Sequence, residues 1–426
     1  MSRRMHGWPM RAHKRAGHQG VVAVAVLTAF TALTAAQTSS QDYPQWRGRN
    51  RDGEAAGFVQ PKTWPNALSL KWKVDVGPGY ATPILIGTRI HAFTRRDENE
   101  VLTALDCETG NVIWKTSYPA PHKVVAAAEG HGPGPKSTPL FYNGKLYTLG
   151  ISGIVSSFDA STGRLLWQKA APPVEPLYGN AAMSPLGEKD VVIFHVGGHN
   201  QGALTAFDAN TGAVKWSWAG DGPAYASPVV AEFQGTRQVV TMTQQNVVGL
   251  SAATGELLWQ RPFASPFTNN AITPILYGDT IIVSGYEKGV AAFKPVKQSD
   301  HWGTESVWQT QEISMFMSNP VVIGDTLYGL SQLKSGQFFA LDVKTGKTLW
   351  LGEAREATNV AVTKAGDLLF LLNDSGELIV ARSSRTKFEP LKRYTVANSA
   401  TWAQPTISGN RVFVKDASSL ALWTVN

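Results

Sequence analysis

One nine-residue phrase recurs along the chain and restricts its fold more than any other feature. Asp-x-x-Thr-Gly-x-x-x-Trp occupies 106–114, 159–167, 208–216 and 342–350, and 251–259 repeats it with Ser251 in place of the Asp. Apolar pairs such as Ala104-Leu105 and Ala206-Phe207 precede it, so the unit reads strand, tight turn, strand, with the Gly supplying a left-handed turn position. Self-similarity at a period of roughly 40–50 residues marks a repeat array, and four short strands per period make a propeller blade. The repeated Asp and Thr are read as turn caps, and the Trp of each outer strand as packing between neighbouring blades.

A second marker counts the blades. Ser/Thr-Pro, or a degenerate form of it, opens a β-rich run at Pro83, Pro139, Pro185, Pro228, Pro274, Pro320 and Pro405, with Ala361 in the unmarked seventh place; the successive intervals are 56, 46, 43, 46, 46, 41 and 44 residues. Turn pairs such as Asn143-Gly144, Gly278-Asp279, Gly324-Asp325 and Gly409-Asn410 follow, so each repeat is two hairpins, four antiparallel strands A to D. The expected fold is all-β, an eight-bladed propeller. The last repeat holds only three apolar runs, 406–408, 412–414 and 420–425, while 70–76 reads as a D strand with no A, B or C before it. Pairing these ends closes the ring and removes two exposed sheet edges.

Three regions are expected: a signal peptide over 1–36, a lead-in segment over 37–63, and the propeller over 64–426. Arg3, Arg4, Arg11, Lys14 and Arg15 form a basic region, 21–35 is apolar, and Thr34-Ala35-Ala36 suits cleavage before Gln37. The apolar run is short for a membrane span, no Cys follows it to take a lipid, and Arg3-Arg4 lacks the surroundings of a twin-arginine signal. Localisation is therefore expected to be periplasmic or secreted, with no stable membrane span after cleavage. The chain carries 39 basic and 32 acidic residues, net +7; without the five basic residues of 1–36 the balance falls to 34 against 32. The basic character belongs to the export signal, which removes the case for nucleic-acid binding. Cys107 is the only cysteine, so no internal disulfide can form.

The phrase Ala-Leu/Phe-Asp-x-x-Thr-Gly-x-x-x-Trp resembles the repeat of the pyrroloquinoline-quinone (PQQ) propeller family over nearly the whole mature chain. Asp42-Tyr-Pro-Gln-Trp46-Arg-Gly48-Arg-Asn-Arg-Asp52-Gly53 resembles the opening segment of its secreted bacterial PQQ-binding-like branch. The resemblance implies the fold but no single activity, because the family holds quinoprotein dehydrogenases as well as a non-catalytic lipoprotein of the outer-membrane barrel-assembly machinery. The dehydrogenase branch implies long inserts, a vicinal disulfide beside the quinone and a Ca²⁺ next to a catalytic Asp. One cysteine cannot make that disulfide, no Cys-x-x-Cys-His haem site is present, and no acidic pair aligns with the Ca²⁺ ligands. The lipoprotein branch shares blade number and size, although the tethering cysteine is missing here.

Topology places the D-to-A connections and B-to-C turns on one face, and the A-to-B and Thr-Gly turns on the other. The first face receives the irregular sequence, including the excursion over 117–136 and the B-to-C turns around His195 and His199, Tyr286 to Lys288 and Gln332 to Lys334. Tyr80, Asn180, Tyr225, Asn269, Asn270, Asn319, Asn359 and Trp402 precede the A strands and are expected to line its mouth. The candidate ligand-binding residues are His131, Lys136, Asn180, His199, Tyr225, Asn270, Lys334 and Trp402, a set of amides, aromatics and cations suited to a polar planar ligand or a peptide; the alternative is that they only plug the channel. His195 and His199 stand four apart on a strand and Gly turn, where helical metal-pair geometry does not apply. The 46–48 segment is expected to clasp the ring, with a ligand role for Arg47 as the alternative. No nucleophile elbow, Walker loop or zincin helix appears. The expectation is an exported, monomeric, non-catalytic binding or scaffold protein of the bacterial envelope, with an envelope protein or small polar ligand as partner and no assigned cofactor. The alternative is a PQQ-dependent oxidoreductase using PQQ with Ca²⁺.

Overall fold

A computed structural model describes residues 41–425 apart from 123 and 176; the expected signal peptide lies outside them. Eight four-stranded antiparallel sheets form the ring. Seven blades are continuous in sequence, spanning 84–119, 140–169, 186–218, 229–262, 275–310, 321–351 and 360–395 (blades 1 to 7). Blade 8 takes strands Thr406–Ser408, Arg411–Lys415 and Ser419–Thr424 from the C-terminus and Ser69–Asp75 from near the N-terminus, paired Ser69 with Thr424 through Asp75 with Ser419. The ring is therefore stapled by both ends of the chain.

The repeated phrase is a docking device. Asp106 Oδ1 accepts hydrogen bonds from Glu108 N, Thr109 N and Thr109 Oγ1, which shapes the turn so that Gly110 (φ 73°) presents a bare Cα. A Cβ there would lie 2.8 Å from the ring of Trp72 in the preceding blade. The same contact joins Trp114 to Gly163, Trp167 to Gly212, Trp216 to Gly255 and Trp308 to Gly346. In four of these docks the indole N–H donates to the carbonyl after the capping residue, at Cys107, Ala209, Ala252 and Val343. The expectation of a Trp in every D strand needs one correction: the blade 7 strand Glu389–Thr395 has none. Blade 8 is broken where its Thr-Gly turn would be, so no glycine awaits a Trp. Phe58 and Trp64 fill that seam against Phe370, with ring centroids 4.9 and 6.3 Å away.

The Ser/Thr-Pro marker also has a physical cause. Thr82 N donates to Thr138 Oγ1, Thr138 N to Ser184 Oγ, and Ser184 N to Ser227 Oγ, while Gln404 N donates to Thr82 Oγ1. Each hydroxyl thus satisfies a buried backbone N–H of the preceding blade, where the A strands begin.

Candidate functional site

The irregular loops meet where those A strands start, and several candidate side chains form a connected arc. His131 packs edge-on against Trp402, ring centroids 4.5 Å apart. Lys136 Nζ donates to Gly179 O at 2.8 Å, Gly179 N donates to Tyr225 Oη at 2.9 Å, and Tyr225 N donates to Asn270 O at 3.2 Å. Loops before blades 2, 3, 4, 5 and 8 are linked in this way. Burial pushes the Lys136 ammonium down to about 8. Burial, and then the charge of Lys136, lowers His131. Burial raises the Tyr225 phenol.

The remaining candidates differ in role. Asn270 is fully buried, its amide donating to Thr243 O and Phe263 O and accepting from Ser265 Oγ, so it braces its loop. Asn180 is 1% exposed, has φ 61°, and neither side-chain atom finds a partner. His199 stands at the B-to-C turn of blade 3 with its ring 5.2 Å from Tyr178. His195 lies on the strand, buried, with Nε2 3.1 Å from Asp221 O; burial pushes it down to about 4, which keeps it neutral. Lys334 is exposed on the blade 6 turn, with φ 56°. It takes no part in the arc's bonds described above.

The lead-in segment does more than clasp the ring: it threads the channel. Tyr43 pairs with Leu85, Phe141 N donates to Pro44 O, Trp46 Nε1 to Thr273 Oγ1, Ala55 N to Lys364 O and Ala56 N to Ile407 O. Arg47 Nη2 donates to Pro320 O; Arg51 Nη1 donates to Pro185 O and Gln45 Oε1, and its Nη2 to Ser184 O. One short segment therefore touches the inner strands of seven blades or the residues that lead into them. Sequence reasoning weighed Arg47 but missed Arg51; the available signal was their spacing of four within Trp46-Arg47-Gly48-x-x-Arg51-Asp52-Gly53.

The quinoprotein dehydrogenase resemblance implies a vicinal disulfide and a metal beside it. Among the described residues no group of three or more His, Cys, Asp or Glu could hold a metal ion. Cys107 is buried in the blade 1 turn, 3.1 Å from Arg411 Nη1. A single buried cysteine cannot supply the vicinal disulfide of that centre.

Residues 97–351 match the family described as outer membrane protein assembly factor BamB. The protein of that name from Shewanella oneidensis is 20% identical over 325 residues, covering 75% of this chain and 69% of the relative. The dehydrogenase subunit of the quinone alcohol dehydrogenase from Komagataeibacter europaeus is 30% identical over 160 residues, covering 35% of this chain and 21% of the relative. The crystal structure of BamB from Moraxella catarrhalis superimposes with a TM-score of 0.61 at 16% identity, over 84% of this chain and 100% of that one, a likeness of fold.

Proposed function

The chain belongs to the family described as outer membrane protein assembly factor BamB, and from that premise we propose that it is a non-catalytic binding scaffold of the bacterial envelope, exported by residues 1–36 and engaging a partner at its loop face. The observation that carries this reading is sequence coverage: the sequence match to the assembly factor spans most of both proteins, whereas the sequence match to the dehydrogenase subunit spans a fifth of that relative. The arc from Trp402 through His131, Lys136, Gly179 and Tyr225 supports the choice of face. It presents half-buried aromatic rings beside a cation, the composition of an interface hot spot. In envelope extracts the protein should capture a defined partner, and alanine at Lys136, Tyr225 or Trp402 should weaken that complex by roughly 1–3 kcal/mol with an unchanged melt. Normal binding by those variants, with loss on changing Lys344 or Lys347 of the Thr-Gly face, would reverse the assignment.

The 30% identity to the quinone alcohol dehydrogenase subunit favours a second reading, a PQQ-linked oxidoreductase. Titration with PQQ and Ca²⁺, followed by an alcohol-dependent dye-reduction assay, separates the two. Tight quinone binding with turnover would displace the scaffold.

A further inference from the structure

The lead-in segment carries two charges that its structural duties leave over. Arg47 and Arg51 are 3% and 6% exposed, and both adopt left-handed backbone, φ 60° and 58°. Non-glycine residues avoid that region at a cost of about 1–3 kcal/mol, and persist in it where surrounding structure fixes them. Their bonds to Pro320, Pro185 and Ser184 carbonyls hold the segment in the channel. Those bonds leave Arg47 Nη1 and Arg51 Nε buried without a partner.

Neither guanidinium is bonded to a carboxylate. Of the three acids of the segment, Asp42 accepts from Gly87 N, while Asp52 and Glu54 pair with Lys364, at 3.2 and 3.6 Å. Burial pushes Arg47 down to about 10; burial, and then the neighbouring Arg47, pushes Arg51 down to about 9, so both remain charged at neutral pH. Asp52 partly offsets the charge of Arg47, whereas Arg51 meets only burial and the like charge of Arg47; a buried charge without its counter-charge costs several kcal/mol, and orphaned buried donors call for an explanation. Beside them lies a cleft of about 220 Å³, lined on its polar side by Arg47, Asn50, Arg51, Asp52, Thr273 and Lys364 and elsewhere by proline and aliphatic side chains.

We propose that this cleft inside the ring binds a small, multiply charged oxyanion, a di- or tricarboxylate or a phosphate, using Arg47 Nη1 and Arg51 Nε as donors. Guanidinium groups suit carboxylate and phosphate oxygens through directed, charge-assisted bonds. Two such groups in one cleft select an anion with more than one charged oxygen. The clamp bonds fix both arginines before the anion arrives, so binding orders little that is not already ordered. The site is separate from the loop-face arc and does not depend on the scaffold reading.

The test is calorimetric and thermal titration of the full protein with citrate and with inorganic phosphate, against chloride at matched ionic strength. Saturable binding and a raised melt are expected with citrate or phosphate and not with chloride; whichever of the two binds tighter separates carboxylate from phosphate chemistry. Asn50→Asp places a carboxylate at the cleft without removing an arginine clamp bond. It should weaken the anion at least ten-fold while the unliganded melt stays unchanged or rises. Arg51→Gln should weaken it similarly. Equal binding by wild type and Asn50→Asp, or a wild-type response to citrate and phosphate no greater than to chloride, overturns the proposal. The wild-type comparison with chloride decides the matter even if a variant fails to fold.

Discussion

The seam between blades 1 and 2 and the seam between blades 7 and 8 solve one packing problem in two ways. At the first, a hairpin turn carries Gly163 under the ring of Trp114, and everything required lies within two adjacent repeats. At the second, the receiving blade is broken between Thr424 and Ser69, so the docking turn does not exist. Phe58 and Trp64 are brought in instead, stacked on each other 6.2 Å apart and set against Phe370. The regular seam is a property of the repeat, while the terminal seam is a property of the whole chain. Because the segment that fills it first crosses the channel, closing the ring also places Arg47 and Arg51 inside.

The largest expected effect breaks the terminal seam. Strand Ser419–Thr424 lies between Arg411–Lys415 and Ser69–Asp75, and Leu420 and Leu422 are fully buried. Deleting 420–426 removes that strand, forfeits burial worth about 1.5–3 kcal/mol per large side chain, and exposes two sheet edges. The truncated protein should lose its cooperative melt or aggregate. An unchanged thermal transition would mean that terminal pairing does not hold the ring.

The two seams also differ in how they were read from sequence. The phrase marks the turns of blades 1, 2, 3, 4 and 6 because the Asp cap, the left-handed Gly and the Trp dock are all local or one repeat apart. Blades 5 and 7 lack it: their C-to-D connections pass through Ser299-Asp300 and Ser384-Arg385, and only the A-strand spacing located them. The loop face was legible from topology alone. What each side chain does there was not, because Lys136 and Tyr225 bond to backbone groups, and a carbonyl or amide leaves no mark in a sequence. Asn270 looked like a ligand group for the same reason: its partners are two carbonyls and a serine hydroxyl. The threading of the channel was hidden too, since 43–56 has no strand periodicity and its partners are spread from Leu85 to Ser408.

A second test sharpens the comparison through pH. Blade 8 contains Lys415, 1% exposed, whose Nζ donates to Asp416 O at 2.7 Å and Ala417 O at 3.3 Å, while the Asp416 carboxylate pairs with Lys73 at 2.9 Å. Burial pushes Lys415 down to about 8, against the opposing pull of Asp416 and Asp75. The unfolded chain then holds the proton more tightly than the folded one, so stability should rise as pH climbs from about 8 towards the ordinary lysine value of about 10.4. The gain is at most about 3 kcal/mol, from 1.36 kcal/mol per pH unit. Denaturant titrations at both ends of that window should show a smaller rise for Lys415→Met than for wild type. An equal rise would place the responsible group outside the stapled blade.

The smallest effect concerns the regular seam, where two glycines share a backbone but not a neighbour. Gly144 and Gly163 have φ of 75° and 74°. A Cβ on Gly144 would meet nothing within 4 Å, whereas one on Gly163 would sit 2.5 Å from Trp114 Cε3. Alanine at either position pays the left-handed penalty, about 1–2 kcal/mol. Only Gly163→Ala must also displace the indole. Overpacking costs roughly 1–3 kcal/mol, and half-buried Trp114 can yield towards solvent, so the difference between the variants should be about 1–2 kcal/mol in denaturant midpoints at constant slope. Equal losses would show that the glycine serves its turn alone, and that the Trp contact does not hold the blades together. A larger loss for Gly163→Ala than for Gly144→Ala, with no change in partner binding by either, would mark the Thr-Gly turn as a structural dock.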